Sequence, residues 1–277
     1  MEFVTHTIAP GRSLTLPWPE VLLMPIGDVQ CGVPACDEDR LARHMDWGLE
    51  HGAVFLGMGD YVDMAAPSDR RRLRNADFYD TVTSAILDKA EADVERFAKL
   101  VNGSRGRWLG LLQGHHYMPF PDGSTSDTRL AAALGAPFLG DCALVRLAID
   151  KTGVSGDVLC HHGQGSTASE PAALGSVMRF GAGFGHADIV LNGHHHKKVA
   201  TKKPRPYFDG EGKLTSRNTV YGVTGAFLKG YLQCSQRDGR AGGGYPEQRM
   251  LPPVALGGLV LWLRAKPDGR LDADVSL

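Results

Sequence analysis

Short runs of consecutive apolar residues occur at intervals along the first two-thirds of the chain, and each of them ends close to a glycine. Runs of this length without alternation are typical of strands that are buried on both faces of a sheet. The predicted strands cover residues 21–26, 53–57, 108–113 and 188–191, and residues 143–150 and 157–160 predict a hairpin.

Between these runs, apolar residues recur at every third or fourth position, as they do on the buried face of a helix. Asp37 has the chemistry of an N-cap, and Gly52 that of the residue that follows a helix C-terminus. The alternation of strands and helices predicts an α/β fold. The predicted helices cover residues 37–52, 77–103, 127–135 and 171–180.

The last third of the chain has a different pattern. Strands are predicted over 218–223, 256–264 and 271–275. No repeat and no linker divides the sequence, which predicts one domain over 1–277, with the motifs in 28–196 and a β-rich part over 198–277. Within that part, the glycine-rich residues 234–253 predict a long loop that is a lid, a dimer contact or a disordered segment.

The composition excludes few functions. Hydrophobic residues make up 43% and charged residues 22% of the chain, and a net charge of −1 indicates no partner. The five cysteines have no CxxC spacing, which predicts reduced thiols. Neither a signal-peptide pattern nor a membrane-spanning apolar stretch is visible, so we expect a cytoplasmic protein without a membrane partner.

Five segments rich in Gly, Asp and His each follow a predicted strand. They read GDVQCG, GMGDYVD, LLQGHHYM, LCHHGQG and LNGHHHKK. Ligand sites in open α/β sheets form beyond the carboxyl ends of the strands, so we expect these side chains to converge. Carboxylates and imidazoles together suit Mn²⁺, Fe or Zn²⁺ better than Ca²⁺. The candidate metal ligands are Asp28, Asp60, His115, His161 or His162, His194 and His196.

The five segments resemble the motifs of the calcineurin-like metallophosphoesterase family, which read DxH, GDxxD, GNH followed by Asp or Glu, a later His, and GHxH. The matching stretches here are DVQ (28–30), GDYVD (59–63), GHHY (114–117), HHG (161–163) and GHHH (193–196). The resemblance covers roughly residues 20–200. It implies a four-layer α-β-β-α sandwich, in which two packed mixed sheets are flanked by helices. It also implies two divalent metal ions, with Mn²⁺ favoured and Zn²⁺, Fe or Mg²⁺ as alternatives.

The resemblance further implies a role for each matching residue. One metal would be held by Asp28, Gln30, Asp60 and His196, and the other by Asp60, His115, His161 and His194. Asp60 would bridge the two ions. His116 matches a histidine that faces the scissile phosphate without binding metal, and Asp63 would orient ligands or a histidine. At the fourth segment His161 is preferred to His162, and both are kept as candidates.

Two positions depart from the family pattern. Gln30 replaces a histidine, and His115 replaces an asparagine. The first site therefore loses an imidazole, which predicts a weaker site that accepts Mn²⁺ or Mg²⁺, while the second gains one and becomes more suited to Zn²⁺ or Fe. Gln30 either ligates the metal directly or hydrogen-bonds a metal-bound water.

Basic residues follow two of the motifs. Arg70, Arg71, Arg72 and Arg74 come after GDYVD, and Lys197, Lys198, Lys202, Lys203 and Arg205 come after GHHH. Such clusters can follow a phosphate backbone, with Tyr117 stacking on a base, although most charged runs are only solvated surface. The predicted substrate-binding residues are Arg70, Arg71, Lys197, Lys198 and Tyr117, and DNA or RNA is a candidate substrate.

The leading hypothesis is a dinuclear metal-dependent phosphodiesterase in which a metal-activated water attacks phosphorus and His116 serves as the general acid. A phosphomonoesterase acting on nucleotides or phosphoproteins is the second hypothesis. A non-catalytic metal-binding scaffold is the third.

Overall fold

The computed structural model describes residues 1–12, 18–64, 80–233, 236–237, 240–241, 245–248 and 250–277. Its helices are α1 (Glu38–Glu50), α2 (Asp80–Leu100), α3 (Ser126–Leu134), α4 (Glu170–Ala182) and α5 (Tyr245–Gln248), with a 3₁₀ turn at Asn102–Ser104. The strands are β1 (Glu2–Ile8), β2 (Gly11–Arg12), β3 (Pro19–Ile26), β4 (Val54–Gly57), β5 (Trp108–Leu111), β6 (Cys142–Ile149), β7 (Val154–His161), β8 (Ile189–Asn192), β9 (Lys198–Phe208), β10 (Leu214–Ala226), β11 (Gln236–Arg237), β12 (Arg240–Ala241), β13 (Gly257–Gly258), β14 (Val260–Ala265) and β15 (Leu271–Ser276).

Two mixed sheets contain most of these strands. The six-stranded sheet has the order β15-β14-β3-β4-β5, with β2 paired to β3. The seven-stranded sheet has the order β1-β6-β7-β8-β10-β13, with β9 paired to β10. Strands β3, β4 and β5 run parallel, as do β7, β8 and β10, so each sheet brings several carboxyl ends to one edge.

Successive side chains of β3 point to opposite faces of the sheet and pack in two different hydrophobic cores. This alternation shows the order of the layers. Val21 and Leu23 lie in a core between the two sheets, together with side chains from β7 and β14. Leu22 and Met24 point the other way, into a core with α1, α2 and α3. A third core joins the outer face of the seven-stranded sheet to α4. The order is therefore helix, sheet, sheet, helix, which confirms the predicted fold class.

Most predicted elements are present with shifted ends. The long helix was predicted over 77–103 and is described over Asp80–Leu100, with residues 77–79 outside the described part. The predicted loop 234–253 lies partly outside the described residues, and its described portion holds β11, β12 and α5. No helix in the described part of the chain combines the length and apolar character needed to cross a membrane.

Candidate metal centre

The strand ends of both sheets meet at one place. Asp28 and Asp60 follow β3 and β4 of the six-stranded sheet, and their loops are joined because Asp28 N–H donates to the Gly59 carbonyl at 3.0 Å. His194 follows β8 of the other sheet, and its N–H donates to Asp28 Oδ2 at 2.8 Å. The predicted convergence of these segments is therefore present.

The candidate ligands share an uncommon backbone conformation. Among the described residues, seven that are not glycine have positive φ, and five of these are predicted ligands. Positive φ is costly for residues with a Cβ atom, and such strain concentrates at functional sites. The five are Asp28 (φ 49°), Gln30 (51°), Asp60 (52°), His194 (66°) and His196 (52°).

Asp28, Asp60 and His162 form a buried group whose ligand atoms all lie within 4.8 Å of one another. His162 Nδ1 is 2.7 Å from the Met58 carbonyl, which fixes the proton on Nδ1 and aims Nε2 at Asp60 Oδ2, 3.3 Å away. Asp28 Oδ1 is buried and has no hydrogen-bond partner among the described residues, and the buried His162 Nε2 faces the Asp60 carboxylate. A divalent cation would satisfy both atoms, so this group fits a metal.

His115, His162 and His194 form a second group with the same spacing, so His162 belongs to both. His194 Nε2 lies 2.7 Å from the Gly165 carbonyl, which leaves Nδ1 as the ligating atom. That Nδ1 is 3.2 Å from Nδ1 of His115. Three imidazoles around one point fit Zn²⁺ or Fe better than Mg²⁺.

The ionisation of the first group follows from its burial. Burial raises the pKa of Asp28 to about 8. Burial also acts to raise the pKa of Asp60, but the hydrogen bond and charge of His162 outweigh it and hold that pKa below its usual range. Although burial alone would lower the pKa of His162, the Asp60 carboxylate raises it to about 9. Without metal the imidazole keeps a proton in the place where a cation would bind.

Glycines allow the close approach of these loops. A Cβ atom on Gly114 would lie 2.1 Å from the Asp60 backbone nitrogen. A Cβ atom on Gly59, which has φ of 91°, would lie 2.5 Å from His162 Nδ1. Both contacts are far shorter than van der Waals distance, so only glycine fits either position.

A second pair of polar side chains lies beside the metal groups. His116 Nδ1 is 2.5 Å from Asp63 Oδ1, and the His116 N–H donates to Asp60 Oδ1 at 2.9 Å. Burial lowers the pKa of His116, but the hydrogen bond to Asp63 outweighs it, and the net pKa is raised. Both side chains are about 30% exposed, so this histidine can reach a bound molecule.

Two other predicted ligands border the first group. His196 Nε2 lies 3.5 Å from Asp28 Oδ1. The backbone N–H of Gln30 donates to the Asp60 carbonyl at 3.0 Å, and the residue is buried. Direct ligation by Gln30 stays a prediction.

The geometry favours His162 over the preferred candidate His161. The His161 ring packs on Phe180 of α4, with 5.4 Å between centroids, and its Nδ1 accepts a hydrogen bond from Gly163 N–H. Because successive side chains at the end of β7 point to opposite faces, His161 points to the helix layer and His162 to the other sheet. The sequence could not show which face was which.

The described structure gives less support to the predicted substrate-binding residues than to the predicted metal ligands. Arg70 and Arg71 lie outside the described residues. Lys197 is only 6% exposed, so it does not form part of an open basic surface. Lys198 is the first residue of β9, so the basic residues that follow the GHHH motif lie along a strand. The sequence had led us to expect them in a loop at the site. Tyr117 is half-buried beside His116.

Sequence reasoning missed the role of Asp127. This buried residue in the first turn of α3 accepts a hydrogen bond from Gly114 N–H at 2.8 Å and another from Ser126 Oγ at 3.1 Å. It therefore anchors the loop that carries His115 and His116. Burial raises its pKa to about 6. The only signal in the sequence was an acid at a helix start, which is common.

Comparisons with known proteins add little to this geometry. No family model matches the chain, and no curated protein matches it. Among solved structures, the chain is similar to the crystal structure of Vps29 from Chaetomium thermophilum, with 11% identity and a TM-score of 0.32. That alignment covers 92% of this chain and 94% of the other. At this identity and score the similarity carries no argument about function, which therefore depends on the site itself.

Proposed function

We propose that the protein is a dinuclear metal-dependent phosphoesterase that hydrolyses phosphodiester bonds. The observation that carries the proposal is the pair of three-ligand groups that share His162, in which the buried Asp28 Oδ1 has no hydrogen-bond partner in the described structure. A site of this kind next to a hydrogen-bonded His116–Asp63 pair combines metal ligands with a group that can carry a proton.

The two groups differ in their donors. Asp28, Asp60 and His162 would hold a first ion, with Gln30 and His196 beside them, and this oxygen-rich set suits Mn²⁺ or Mg²⁺. His115, His162 and His194 would hold a second ion of Zn²⁺ or Fe type. When bound, two such ions supply Lewis acidity toward the phosphoryl oxygens and lower the pKa of a bound water.

The residues of the chain then have distinct tasks. Asp60 accepts the N–H groups of both His115 and His116, so one carboxylate positions a ligand and the proton donor together. Asp63 holds His116 by Nδ1 and keeps the ring protonated, which leaves Nε2 to give a proton to the departing alkoxide. A phosphoester of an ordinary alcohol needs this proton because its leaving group is an alkoxide, which is a strong base.

DNA and RNA are candidate substrates, because their backbones are chains of phosphodiester bonds. The support for it is that β9 begins two residues after His196 and carries several basic residues. Of these, Lys203 is exposed, while Lys202 pairs with Asp274 at 3.3 Å. Cleavage of DNA or RNA that weakens steeply with added salt would support this substrate class.

The test is hydrolysis of bis(p-nitrophenyl) phosphate and p-nitrophenyl phosphate by metal-stripped protein refilled with Mn²⁺, Mg²⁺, Zn²⁺ or Fe²⁺. We expect metal-dependent cleavage of the diester that is lost in Asp60→Ala and retained in His161→Ala, the matched control. His116→Ala should lose more activity on a diester of an ordinary alcohol than on the p-nitrophenyl diester, because p-nitrophenolate leaves without a proton. Faster cleavage of the monoester would replace the diesterase proposal with a phosphomonoesterase. Metal binding without turnover would leave only a metal-binding scaffold.

A further inference from the structure

Residues 114–118 form a loop segment that carries two neighbouring histidines with different roles. His115 belongs to the second ligand group, and His116 is the proton donor of the proposed reaction. The middle of the segment is held by the loops after β4. Asp60 Oδ1 accepts the N–H groups of both histidines, and Met64 N–H donates to the His116 carbonyl at 3.0 Å. The two ends of the segment are held by a different element.

The first turn of α3 binds both of these ends. Gly114 N–H donates to Asp127 Oδ2 at 2.8 Å. Met118 N–H donates to Ser126 Oγ at 3.1 Å, and Ser126 N–H donates back to the Met118 carbonyl at 2.9 Å. Ser126 Oγ donates in turn to Asp127 Oδ1 at 3.1 Å, so one pair of side chains joins the two ends. We call Ser126 and Asp127 together the loop clamp.

The loop clamp is itself buried and well anchored. Ser126 is 1% exposed and Asp127 is 2% exposed. A capping box between Thr125 and Thr128 fixes the start of α3, and Leu130 of the same helix packs in the core beneath the six-stranded sheet. The position of the clamp is therefore set by the sheet from which the ligand loops emerge.

The carboxylate of Asp127 is unfavourable for stability by itself. Among the described residues its partners are hydrogen-bond donors, with no ion pair to a Lys, Arg or His side chain. Burying an acidic group without a cation beside it costs free energy that hydrogen bonds only partly offset. Features that break a local rule in this way are expected at functional sites. The hydrogen bonds of Asp127 thus point to a task in the site.

We propose that Ser126 and Asp127 are positioning residues for phosphoester hydrolysis. By holding both ends of residues 114–118, they place His116 toward the leaving group while His115 turns to the second ion. The chemistry of this inference rests on the proposed function, whereas its geometry does not. Because the clamp is buried, it acts through His116 and not by touching substrate. Its loss should therefore slow the chemical step more than it weakens substrate binding.

The same connection contains a matched control pair. Asp122 Oδ1 accepts hydrogen bonds from both the N–H and the Oγ of Ser124, and the N–H contact is 2.9 Å long. This is again a contact between a serine and an aspartate a few residues before α3, but it is exposed and its side chains do not bind residues 114–118. Asp122→Asn and Ser124→Ala are therefore the controls for the clamp variants.

The first test is amide hydrogen exchange of the full-length protein, followed by NMR, which needs no catalysis. Asp127→Ala should speed exchange at Gly114, His115 and His116 by at least about tenfold, since an N–H loses its acceptor and the segment loosens. Asp127→Asn keeps an acceptor oxygen and should exchange more slowly than the alanine variant. Asp122→Asn should exchange as the wild type does at these three amides.

Ser126→Ala keeps the proposal testable if Asp127→Ala does not fold. It removes the other side chain of the clamp, so exchange should be faster at Met118, while Ser124→Ala should leave that rate unchanged. Wild-type exchange rates in the clamp variants that fold would overturn the proposal, whatever their activity. So would an equal increase in the control variants.

The second test compares leaving groups. Asp127→Ala, or Ser126→Ala in its place, should lower kcat for the dinucleotide TpT at least about tenfold more than kcat for bis(p-nitrophenyl) phosphate, because p-nitrophenolate leaves without a proton. KM should change less than kcat, and Asp127→Asn should recover part of the loss. A residue that only stabilises the fold would lower both rates equally, and that result would overturn the proposal. If the wild type cleaves neither diester, the proposed function fails, and faster exchange in the clamp variants still supports the loop geometry.

Discussion

His162 Nε2 lies 3.3 Å from Asp60 Oδ2, and each of the two side chains is 1% exposed. The residues follow strands of different sheets, so this contact joins the two halves of the sandwich at the candidate metal centre. An ion pair at this depth is seldom a gain in stability, because both charges lose their water. If a divalent cation were bound there, both side chains would ligate it, and these contacts would offset the cost of removing them from water.

The first prediction separates the two neighbouring histidines. His162→Ala should weaken binding of both metal ions by about tenfold or more, since even groups behind the ligands are worth 10–100-fold. His161→Ala should bind metal as the wild type does, because that ring packs on Phe180. Calorimetric titration of both variants with Mn²⁺ and Zn²⁺ measures the difference. An equal loss of metal affinity in the two variants would contradict the assignment of His162, and not His161, as a metal ligand.

The second prediction concerns the proton donor. His116→Ala should lower kcat by roughly 10²–10⁴ and leave metal affinity unchanged, because the residue gives a proton and binds no ion. Asp63→Asn removes the charge that raises the pKa of His116, so the basic limb of the kcat profile should move to lower pH. The check is to measure kcat from pH 5 to pH 10 in the wild type and both variants. If the basic limb of the Asp63→Asn profile stays at the wild-type pH, then Asp63 does not raise the pKa of the proton donor.

The third prediction uses a glycine that has no room for a side chain. Gly114→Ala should cost on the order of 1–3 kcal/mol of unfolding free energy and reduce metal affinity, because the new methyl group would meet the Asp60 backbone. Gly175→Ala in α4 is the control, since nothing lies within 4 Å of its Cβ position and alanine favours a helix. Urea unfolding should show Gly175→Ala to be at least as stable as the wild type. A Gly114→Ala protein of wild-type stability would contradict the packing of these loops.

The fourth prediction concerns pH and lies away from the ligands. Burial, together with the Lys198 charge, lowers the pKa of His44 from its usual 6.5 to about 4. The unfolded chain therefore binds the extra proton between these values, and the folded state loses stability as pH falls through this window. The loss should reach at most about 3 kcal/mol. Unfolding free energies of the wild type and His44→Gln should diverge as the pH approaches 4, and parallel curves would refute the shift.

The strands, the helices and the positions where the strands end could be predicted from sequence, because they depend on the pattern of apolar residues and on capping residues close by in the chain. Unbroken apolar runs indicated β3, β4 and β5, and Asp37 caps α1 as expected, accepting the Arg40 N–H at 3.3 Å. Strand β9 was missed because it contains Pro204 and Pro206 and many charges. It pairs only with β10, at the edge of the sheet, where proline is tolerated.

The details of the site depend on contacts that no local pattern encodes. Gln30 and His196 adopt a left-handed backbone conformation that is uncommon outside glycine, and no local sequence pattern indicates it. Which histidine of the 161–162 pair faces the centre depends on which side of β7 the helix layer covers. The role of Asp127 depends on a hydrogen bond to Gly114, thirteen positions away. The single domain, the cytoplasmic location and direct ligation by Gln30 stay predictions.

Anomalous diffraction from crystals grown with Mn²⁺ would show whether two ions bind at this centre. We expect two peaks about 3.5–4 Å apart, one beside Asp28 and one beside His115 and His194, with His162 and Asp60 between them. No peak at this position, or only one, would contradict a dinuclear centre.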